Sequence, residues 1–282
     1  MISQGQLLTE TDLKLELHVF LNDPNTWQQA NHNKVIQSML AHIGSVDSEL
    51  RDGLIYSSFY TMILQENLLG ATMLSEMLDN CLTDLLCKGI GENQNDSVFT
   101  RTFTTLLIAL IVSRDHEDDF LSAPKIEELT NKLIAYLLAE KDVRGYVPDK
   151  GWAHSVAHVS DLVDELVKSS KFNKPSFIDL LRPLWNKLLQ TDYAFIHDED
   201  ERLLVPLITM LELGLQQQEV ITLLNETMAT LAAQKSQLDV QYYRILRFNW
   251  KSFLKSFYIQ TADTPQYAAL HQSIKECLNI DK

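Results

Sequence analysis

The stretch GWAHSVAHVSDLVDEL, residues 151–166, carries apolar side chains at intervals of three and four. At about 100° per residue, these side chains fall on one narrow stripe of a helix. The members of the stripe are Trp152, Val156, Val159, Val163 and Leu166. The pattern predicts an amphipathic helix over residues 151–169 that buries this stripe. On such a helix Trp152 is a buried anchor, and its replacement by Ala is expected to cost about 3 to 5 kcal/mol.

The same helical periodicity recurs along almost the whole chain, whereas alternating runs of Val, Ile and Thr between turn dipeptides are missing. This pattern favours an all-α fold without any sheet. The predicted helices span residues 10–22, 28–43, 47–65, 71–88, 96–113, 123–140, 151–169, 175–190, 199–215, 217–234, 238–260 and 265–279.

Charged or polar clusters lie near the start of every second helix from the third onward. Their spacing of about 40 to 55 residues is close to that of HEAT and armadillo repeats. We therefore expect antiparallel helix pairs stacked as an α/α superhelix, a HEAT- or armadillo-like solenoid. No linker or change of composition interrupts the chain, so residues 1–282 are expected to form a single helical-repeat domain.

The charge of the chain narrows the range of partners. With 38 acidic and 24 basic side chains, the formal net charge is −14. Such a surface repels nucleic-acid phosphates and anionic lipids. The longest apolar run, LLIALIV at 106–112, is too short to cross a bilayer. We expect neither nucleic acid nor a membrane as a partner.

Two further features bear on the cellular location. The first residues, MISQGQLLTETDLK, lack the basic start and apolar run of a signal peptide. Cys81, Cys87 and Cys277 show no CxxC spacing, which argues against a disulfide framework and against a cysteine zinc site. Both observations favour a cytoplasmic protein with reduced thiols.

A polar stripe lies opposite the apolar stripe on the helix predicted over 151–169. It contains His154, His158, Asp161 and Glu165 at spacings of four, three and four. Either this is the ordinary solvated face of an amphipathic helix, or it lines the inner, concave surface of the superhelix. In both cases the two imidazoles are expected to be accessible and to contribute little to stability.

A metal site is a third interpretation of the same stripe. Imidazoles four residues apart on a helix can converge on one divalent ion, so His154, His158 and Asp161 could supply three ligands, with water as the fourth. The HExxH signature is absent because Ser155 follows His154. Alternatively, a nearby carboxylate orients an imidazole for proton transfer. Apart from this divalent metal, no cofactor is expected.

Other charged residues could reach the same surface as the histidines. Arg101 lies opposite an apolar stripe of its own helix, and Glu201 and Arg202 lie on a later helix. The competing interpretation is a ladder of ion pairs between helices. The run HDEDE, residues 197–201, is typical of a solvated helix start, because acidic side chains suit the positive end of the helix dipole. A cation site there would not have EF-hand spacing.

The segment RGYVPDKG, residues 144–151, precedes the helix predicted over 151–169. Its two glycines and its proline indicate a turn-rich loop. Such a loop could border a cleft beside that helix and place Arg144 and Tyr146 at its rim.

Three segments resemble an uncharacterised bacterial all-helical family, domain of unknown function 2785. They are DSVFTRTF at 96–103, EKDVRGYVPDKGWAHSVAHVSDLVDEL at 140–166 and HDEDERLL at 197–204. The part around RGYV and GWAHSVAH is the specific one. The resemblance implies a single-domain, α-solenoid-like protein, and it supplies no catalytic or binding residues.

The leading hypothesis is a non-enzymatic binding module whose polar concave surface takes a peptide, a protein or a small polar ligand. The alternative is a hydrolase-like enzyme, with or without a metal, that uses His154 and His158, although no complete catalytic set is visible. The candidate ligand-binding residues are Arg101, Arg144, Tyr146, Trp152, His154, His158, Asp161, Glu201 and Arg202.

Overall fold

The computed structural model describes residues 7–280, and these residues are mostly helical, which confirms the all-α class. Residues 1–6, on which the expectation about a signal peptide partly depends, lie outside this range. The α-helices are α1 (Glu10–Asn22), α2 (His32–Ala41), α3 (Ser57–Tyr60), α4 (Ala71–Asn80), α5 (Ser97–Asp118), α6 (Ala123–Ala139), α7 (Ser155–Lys168), α8 (Phe177–Trp185), α9 (Glu199–Glu212), α10 (Gln217–Gln234), α11 (Val240–Thr261) and α12 (Ala268–Ile280).

Shorter helical segments extend several of these helices. The π-helical segments Glu49–Tyr56 and Thr61–Gln65 flank α3, and a third, Cys81–Leu85, continues α4. The helices predicted over 47–65 and 71–88 are therefore continuous helical runs with mixed hydrogen-bonding patterns. The 3-10 turns are Pro24–Gln29, Lys174–Ser176, Asn186–Leu189 and Pro265–Tyr267.

A two-stranded antiparallel ribbon lies between α6 and α7, so the expectation that no sheet would occur is wrong at this point. Its strands are β1 (Tyr146–Val147) and β2 (Gly151–Trp152), and Tyr146 pairs with Trp152. The turn between them has a left-handed residue at Asp149 (φ 63°), and Gly151 is left-handed as well (φ 78°). Backbone in this region does not continue a right-handed helix. The helix predicted from residue 151 therefore begins only at Ser155.

Helix α7 lies in the middle of a row of packed helices. It packs against α5 on one side and against α9 on the other, and α9 in turn packs against α11. The predicted apolar stripe is buried from Val156 to Leu166. The flanks of α7 are covered as well, because helices pack on both sides of it. Little of α7 is left for a solvated polar face.

Helix α5 is the one helix within residues 7–280 that is long and apolar enough, by length and composition alone, to cross a membrane. Its length and mean hydropathy of 1.3 would suffice for crossing a membrane, but 89% of its most apolar window is buried inside the protein. Neighbouring helices thus cover it as they cover the core helix of a globular fold.

Arg101 of α5 is completely buried, so the prediction that it lines an exposed surface is wrong. Its Nε and Nη2 atoms donate to the two carboxylate oxygens of Glu140, at 2.6 and 2.9 Å. Its Nη1 atom donates to the carbonyl oxygens of Lys88 and Gly89 and to Ser97 Oγ, at 2.8 to 3.0 Å. The ion-pair interpretation holds for this arginine, because a buried guanidinium needs partners for its donors.

The Arg101–Glu140 pair gives a stability prediction. Replacing Arg101 with Met leaves the Glu140 carboxylate buried without its countercharge, and this should cost about 3 to 5 kcal/mol of unfolding free energy. Replacing both residues with Met should cost clearly less than the sum of the two single changes. Urea denaturation of the three variants measures both quantities.

The matched control is the exposed pair Arg182–Glu226, whose N–O distance is also 2.6 Å. There Arg182→Met should cost at most about 1 kcal/mol, because water screens the charges. An equal loss of unfolding free energy for Arg101→Met and Arg182→Met would contradict the conclusion that Arg101 and Glu140 form a coupled, buried ion pair. Additive losses for the Arg101–Glu140 double change would contradict it as well.

Candidate functional site

The loop of residues 140–154 carries the ribbon, and the buried side chain of Arg51 binds the backbone of this loop. Arg51 Nη2 donates to the carbonyl oxygens of Lys150, at 2.7 Å, and Trp152, at 3.3 Å. The guanidinium lies over the rings of Phe99 and Phe103, at 4.2 and 4.9 Å from their centroids. Charge-assisted hydrogen bonds and cation–π contacts in a buried site fix the ribbon relative to α5.

Gly151 is required where the ribbon meets this arginine. A Cβ there would lie 2.8 Å from Ser48 Cβ and 3.1 Å from Arg51 Nη2, and the residue has a φ of 78°. Both the close approach and the left-handed backbone favour glycine. The glycine lets the ribbon lie directly on the guanidinium.

Four rings meet at the end of the ribbon, and we call them the aromatic–imidazole patch: Tyr146, Trp152, His154 and His197. Trp152 stacks on His154 with centroids 4.5 Å apart, and it contacts Tyr146 and His197 edge to face at 5.0 and 5.2 Å. Tyr146 is 49% exposed and Trp152 is 37% exposed. Trp152 is thus not the buried anchor that the sequence predicted, because β2 directs it away from the apolar stripe of α7.

His154 lies just before α7 rather than on it. Its backbone is left-handed (φ 48°), and its Nε2 atom is 3.0 Å from the carbonyl oxygen of His197. The position that helical spacing assigned to His154 on a polar stripe is therefore wrong. His154 is half-buried between Trp152 and the segment that leads into α9.

His158 lies on α7 but is buried, which contradicts the prediction that it is accessible. Its ring packs edge to face against Phe103 at 5.2 Å and against His154 at 5.7 Å. Burial lowers the pKa of His158 well below 6.5, and its Nδ1 atom has no hydrogen-bond partner. His158 therefore packs against His154 on the core side of the patch and does not face solvent.

The remaining predicted site residues form ion pairs or lie elsewhere. Arg202 of α9 donates through Nε and Nη2 to the carboxylate of Asp161 on α7, with the Nε bond at 3.0 Å. This pair confirms the ion-pair interpretation for Arg202. Arg144 makes a bidentate bond with the buried Asp142. Glu201 is exposed and lines a separate groove of about 370 Å³ between α9 and α11.

Two residues at this site, His197 and Glu199, come from the acidic run that was expected to be solvated. Glu199 is 1% exposed, and its Oε2 atom accepts the backbone N–H of His197 at 2.8 Å. Its Oε1 atom is 3.7 Å from His154 Nε2 and 3.7 Å from His197 Nδ1. The left-handed backbone at Asp198 (φ 64°) precedes this inward turn. No local spacing rule links residues 154 and 197, so helical periodicity did not find them.

Among residues 7–280, one group of three or more ligand-type side chains has its donor atoms within 4.8 Å of one another, namely His154, His197 and Glu199. The predicted metal trio does not converge, because His158 is buried below the patch and Asp161 is bound by Arg202. Burial lowers the pKa of His154 from 6.5 to about 4, and burial raises the pKa of Glu199. His154 is therefore neutral near pH 7, as a metal ligand must be.

Acid is expected to destabilise the fold through the two buried imidazoles. Their pKa values are lowered, to about 4 for His154, so the unfolded chain binds more protons than the folded one. The stability that they contribute is present above pH 6.5 and is lost as the pH falls toward 4. The raised pKa of Glu199 acts in the opposite direction at the lower end of this window.

We predict that His158→Leu removes part of this pH dependence, because the variant has no ring to protonate at that position. Its unfolding free energy should fall less between pH 6.5 and 5 than that of the wild type, by up to about 1.4 kcal/mol per pH unit. Urea titrations at the two pH values measure the difference. Equal slopes for wild type and variant would contradict it.

Comparison with known proteins places the site within a described family. The family model "Protein of unknown function (DUF2785)" matches residues 86–259, which include the whole aromatic–imidazole patch, Glu199, helices α5, α7 and α9, and all but the last two residues of α11. No curated protein and no solved structure matches the chain. Because the match covers more than half of the sequence, the chain belongs to the DUF2785 family.

Proposed function

We propose that this protein is a non-enzymatic binding module that takes a positively charged peptide segment on the aromatic–imidazole patch. The observation that carries the proposal is the exposure of Trp152. The other three tryptophans, Trp27, Trp185 and Trp250, are at most 5% exposed. His154 covers one face of Trp152, and the exposed part of the ring, beside the exposed Tyr146, offers a contact for a lysine or arginine side chain.

Charge supports a cationic ligand. The net charge of −14 attracts basic segments and repels nucleic-acid phosphates and anionic lipids. Exposed carboxylates lie near the patch in the chain: Asp149 in the ribbon turn and Asp198 next to His197. Both chain segments that form the patch thus carry an exposed carboxylate, which favours a cationic ligand.

Rigidity of the patch also supports binding. The Trp152 carbonyl is bonded to Arg51, and the Lys150 ammonium is paired with Asp96 at 2.7 Å. The backbone N–H groups of Ala153 and His154 donate to Gly145 and Arg144. A loop that is ordered before the ligand arrives loses little entropy on binding.

The row of packed helices supplies the frame for this surface. Helices α5, α7, α9 and α11 lie side by side, while α6 packs against α8. In the proposed architecture, one domain forms an α/α superhelix of stacked helix pairs. The patch lies where the starts of α7 and α9 meet, so its two halves come from the segments that lead into these consecutive helices of the row.

The alternative of a hydrolase that uses His154 and His158 has less support. His158 is buried and neutral, so it does not face a substrate. Ser155 next to His154 is also buried, and its Oγ atom donates to the carbonyl oxygen of Asp142 at 2.5 Å. A serine nucleophile needs a hydrogen bond to its base and access to the substrate.

The proposal predicts that Trp152→Ala weakens binding of a Lys-Ala hexapeptide at least about tenfold, because a cation–π contact is lost. The stability cost should be only about 1 to 2 kcal/mol, below that of a fully buried tryptophan, because more than a third of the side chain is exposed. Quenching of Trp152 fluorescence on peptide addition measures binding to the wild type, and calorimetry measures binding to the variants.

Phe248→Ala is the matched control, since Phe248 is an exposed aromatic residue outside the patch at 47% exposure. This variant should bind the Lys-Ala peptide as the wild type does. A Glu-Ala hexapeptide is the ligand control and should not bind. Equal affinity of Trp152→Ala and wild type, or equal binding of the two peptides, would overturn the proposal.

A further inference from the structure

The start of α9 and the residue before α7 bring three donor atoms together beneath Trp152. We infer that His154 Nε2, His197 Nδ1 and Glu199 Oε1 bind one divalent transition-metal ion, with Zn²⁺ as the best match and water as the fourth ligand. The inference does not depend on the peptide ligand, because it concerns atoms that the ion alone would contact.

Distances in the site are close to those of a zinc centre. The Glu199 Oε1 atom is 3.7 Å from His154 Nε2 and 3.7 Å from His197 Nδ1. Zinc bonds of about 2.0 to 2.2 Å in a tetrahedron place two ligand atoms roughly 3.4 Å apart. All three donor atoms lie within 4.8 Å of one another, so the side chains have to close by up to roughly 1.4 Å to reach one ion.

The carboxylate of Glu199 lacks a partner on the side that faces the two imidazoles. Its Oε2 atom accepts the N–H of His197, but the buried Oε1 atom has no hydrogen-bond partner. A buried carboxylate oxygen without a partner is costly, because it has lost its water. A cation at this position would provide the missing interaction.

Gly145 leaves open the space beside the donor atoms. A Cβ at Gly145 would lie 2.6 Å from both Glu199 Oε1 and His197 Nδ1, and 2.9 Å from Tyr193 Oη. Gly145 is not among the left-handed glycines of the described chain, so its backbone conformation does not require glycine. The space beside the donors gives the reason for a glycine at this position.

Neighbouring groups hold the two imidazoles in place. Trp152 stacks on His154 and meets His197 edge to face. Tyr193 Oη is hydrogen-bonded to His197 Nδ1 at 3.4 Å, and this bond is given up when Nδ1 bonds the ion. Such surrounding contacts orient the ligands of metal sites and tune their affinity.

Binding of the ion requires a change of tautomer at His154. Without an ion, His154 Nε2 carries the proton and donates to the carbonyl oxygen of His197, at 3.0 Å. As a ligand, Nε2 must present its lone pair, so the proton moves to Nδ1 and this hydrogen bond is given up. The coordinate bond replaces the hydrogen bond, and no proton has to leave the neutral ring of His154.

The donor set also selects the type of metal. Two imidazole nitrogens and one carboxylate oxygen suit Zn²⁺ and Co²⁺, whereas Mg²⁺ and Ca²⁺ prefer six or more oxygen ligands. Two imidazoles and one glutamate are a ligand set known from catalytic zinc sites, which keep an open position for water.

The experiment uses the full chain purified without a histidine tag and freed of metal by a chelator. Titration with ZnCl₂ in a calorimeter should give one ion per chain, and CoCl₂ should give the visible spectrum of a tetrahedral site. MgCl₂ and CaCl₂ should give no saturable binding. Zinc should also raise the midpoint of thermal unfolding of the wild type.

Two variants test whether His197 is a ligand and whether the ion needs the space beside Gly145. His197→Ala removes a ligand and should weaken Zn²⁺ binding at least about 100-fold. Gly145→Ala keeps all three ligands but fills the space beside them, and it should weaken binding about 10- to 100-fold. Circular dichroism tests whether each variant is folded. If one variant is unfolded, the wild-type titration and the other variant still test the zinc site.

His116→Ala is the matched control. The imidazole of His116 lies 3.5 Å from the carboxylate of Glu165 on the surface, and it belongs to no group of three ligands among the described residues. This variant should bind Zn²⁺ as the wild type does. Absence of stoichiometric Zn²⁺ binding to the wild type, or binding as tight as that of the wild type by His197→Ala or by Gly145→Ala, would overturn the inference.

Discussion

The buried ion pair between Arg101 and Glu140 fixes the point at which the site-bearing loop leaves α6. Glu140 follows the last residue of that helix, and its carboxylate is held by Arg101 and accepts the N–H of Asp142 at 3.0 Å. Its carbonyl oxygen accepts the Nζ of the buried Lys187 at 2.6 Å. One residue thereby joins α5, the end of α6, the loop and the segment after α8. All four rings of the patch lie after Glu140 in the sequence.

From there, successive polar contacts carry the loop to the start of α7. The carbonyl oxygen of Asp142 accepts Ser155 Oγ, and its carboxylate holds Arg144. Arg51 then bonds the far end of the ribbon from below. A loop of this length would sample many conformations if these bonds were absent, and its ordering entropy would oppose binding. Because these bonds hold the loop at several points, the ribbon is fixed relative to the start of α7.

Dense packing around α7 explains the chemistry of its histidines. Helices on both sides of α7 exclude water from His158, so its imidazole stays neutral. His154 lies at the open end of the same helix, where Trp152 and His197 cover it only in part. The two rings are four residues apart and have different roles, because one faces the core and the other borders the surface. Burial makes the first a structural residue, whereas the second stays partly exposed.

The sequence by itself determined the helical class, the bounds of several helices and the apolar stripe of α7. Helices 10–22 and 217–234 begin and end where their periodicity predicts, since apolar spacing and capping residues are local signals. The sequence also offered an ion pair between helices as the alternative for Arg202, and Arg202 pairs with Asp161.

Only the tertiary structure decided the site. Left-handed backbone at Gly151 and His154 delays the start of the predicted helix to Ser155, and the ribbon that turns Trp152 outward is bonded to Arg51. His197 and Glu199 joined His154 across 43 residues of sequence, since α7 and α9 pack side by side. Contacts between segments so far apart depend on packing, which no local periodicity records.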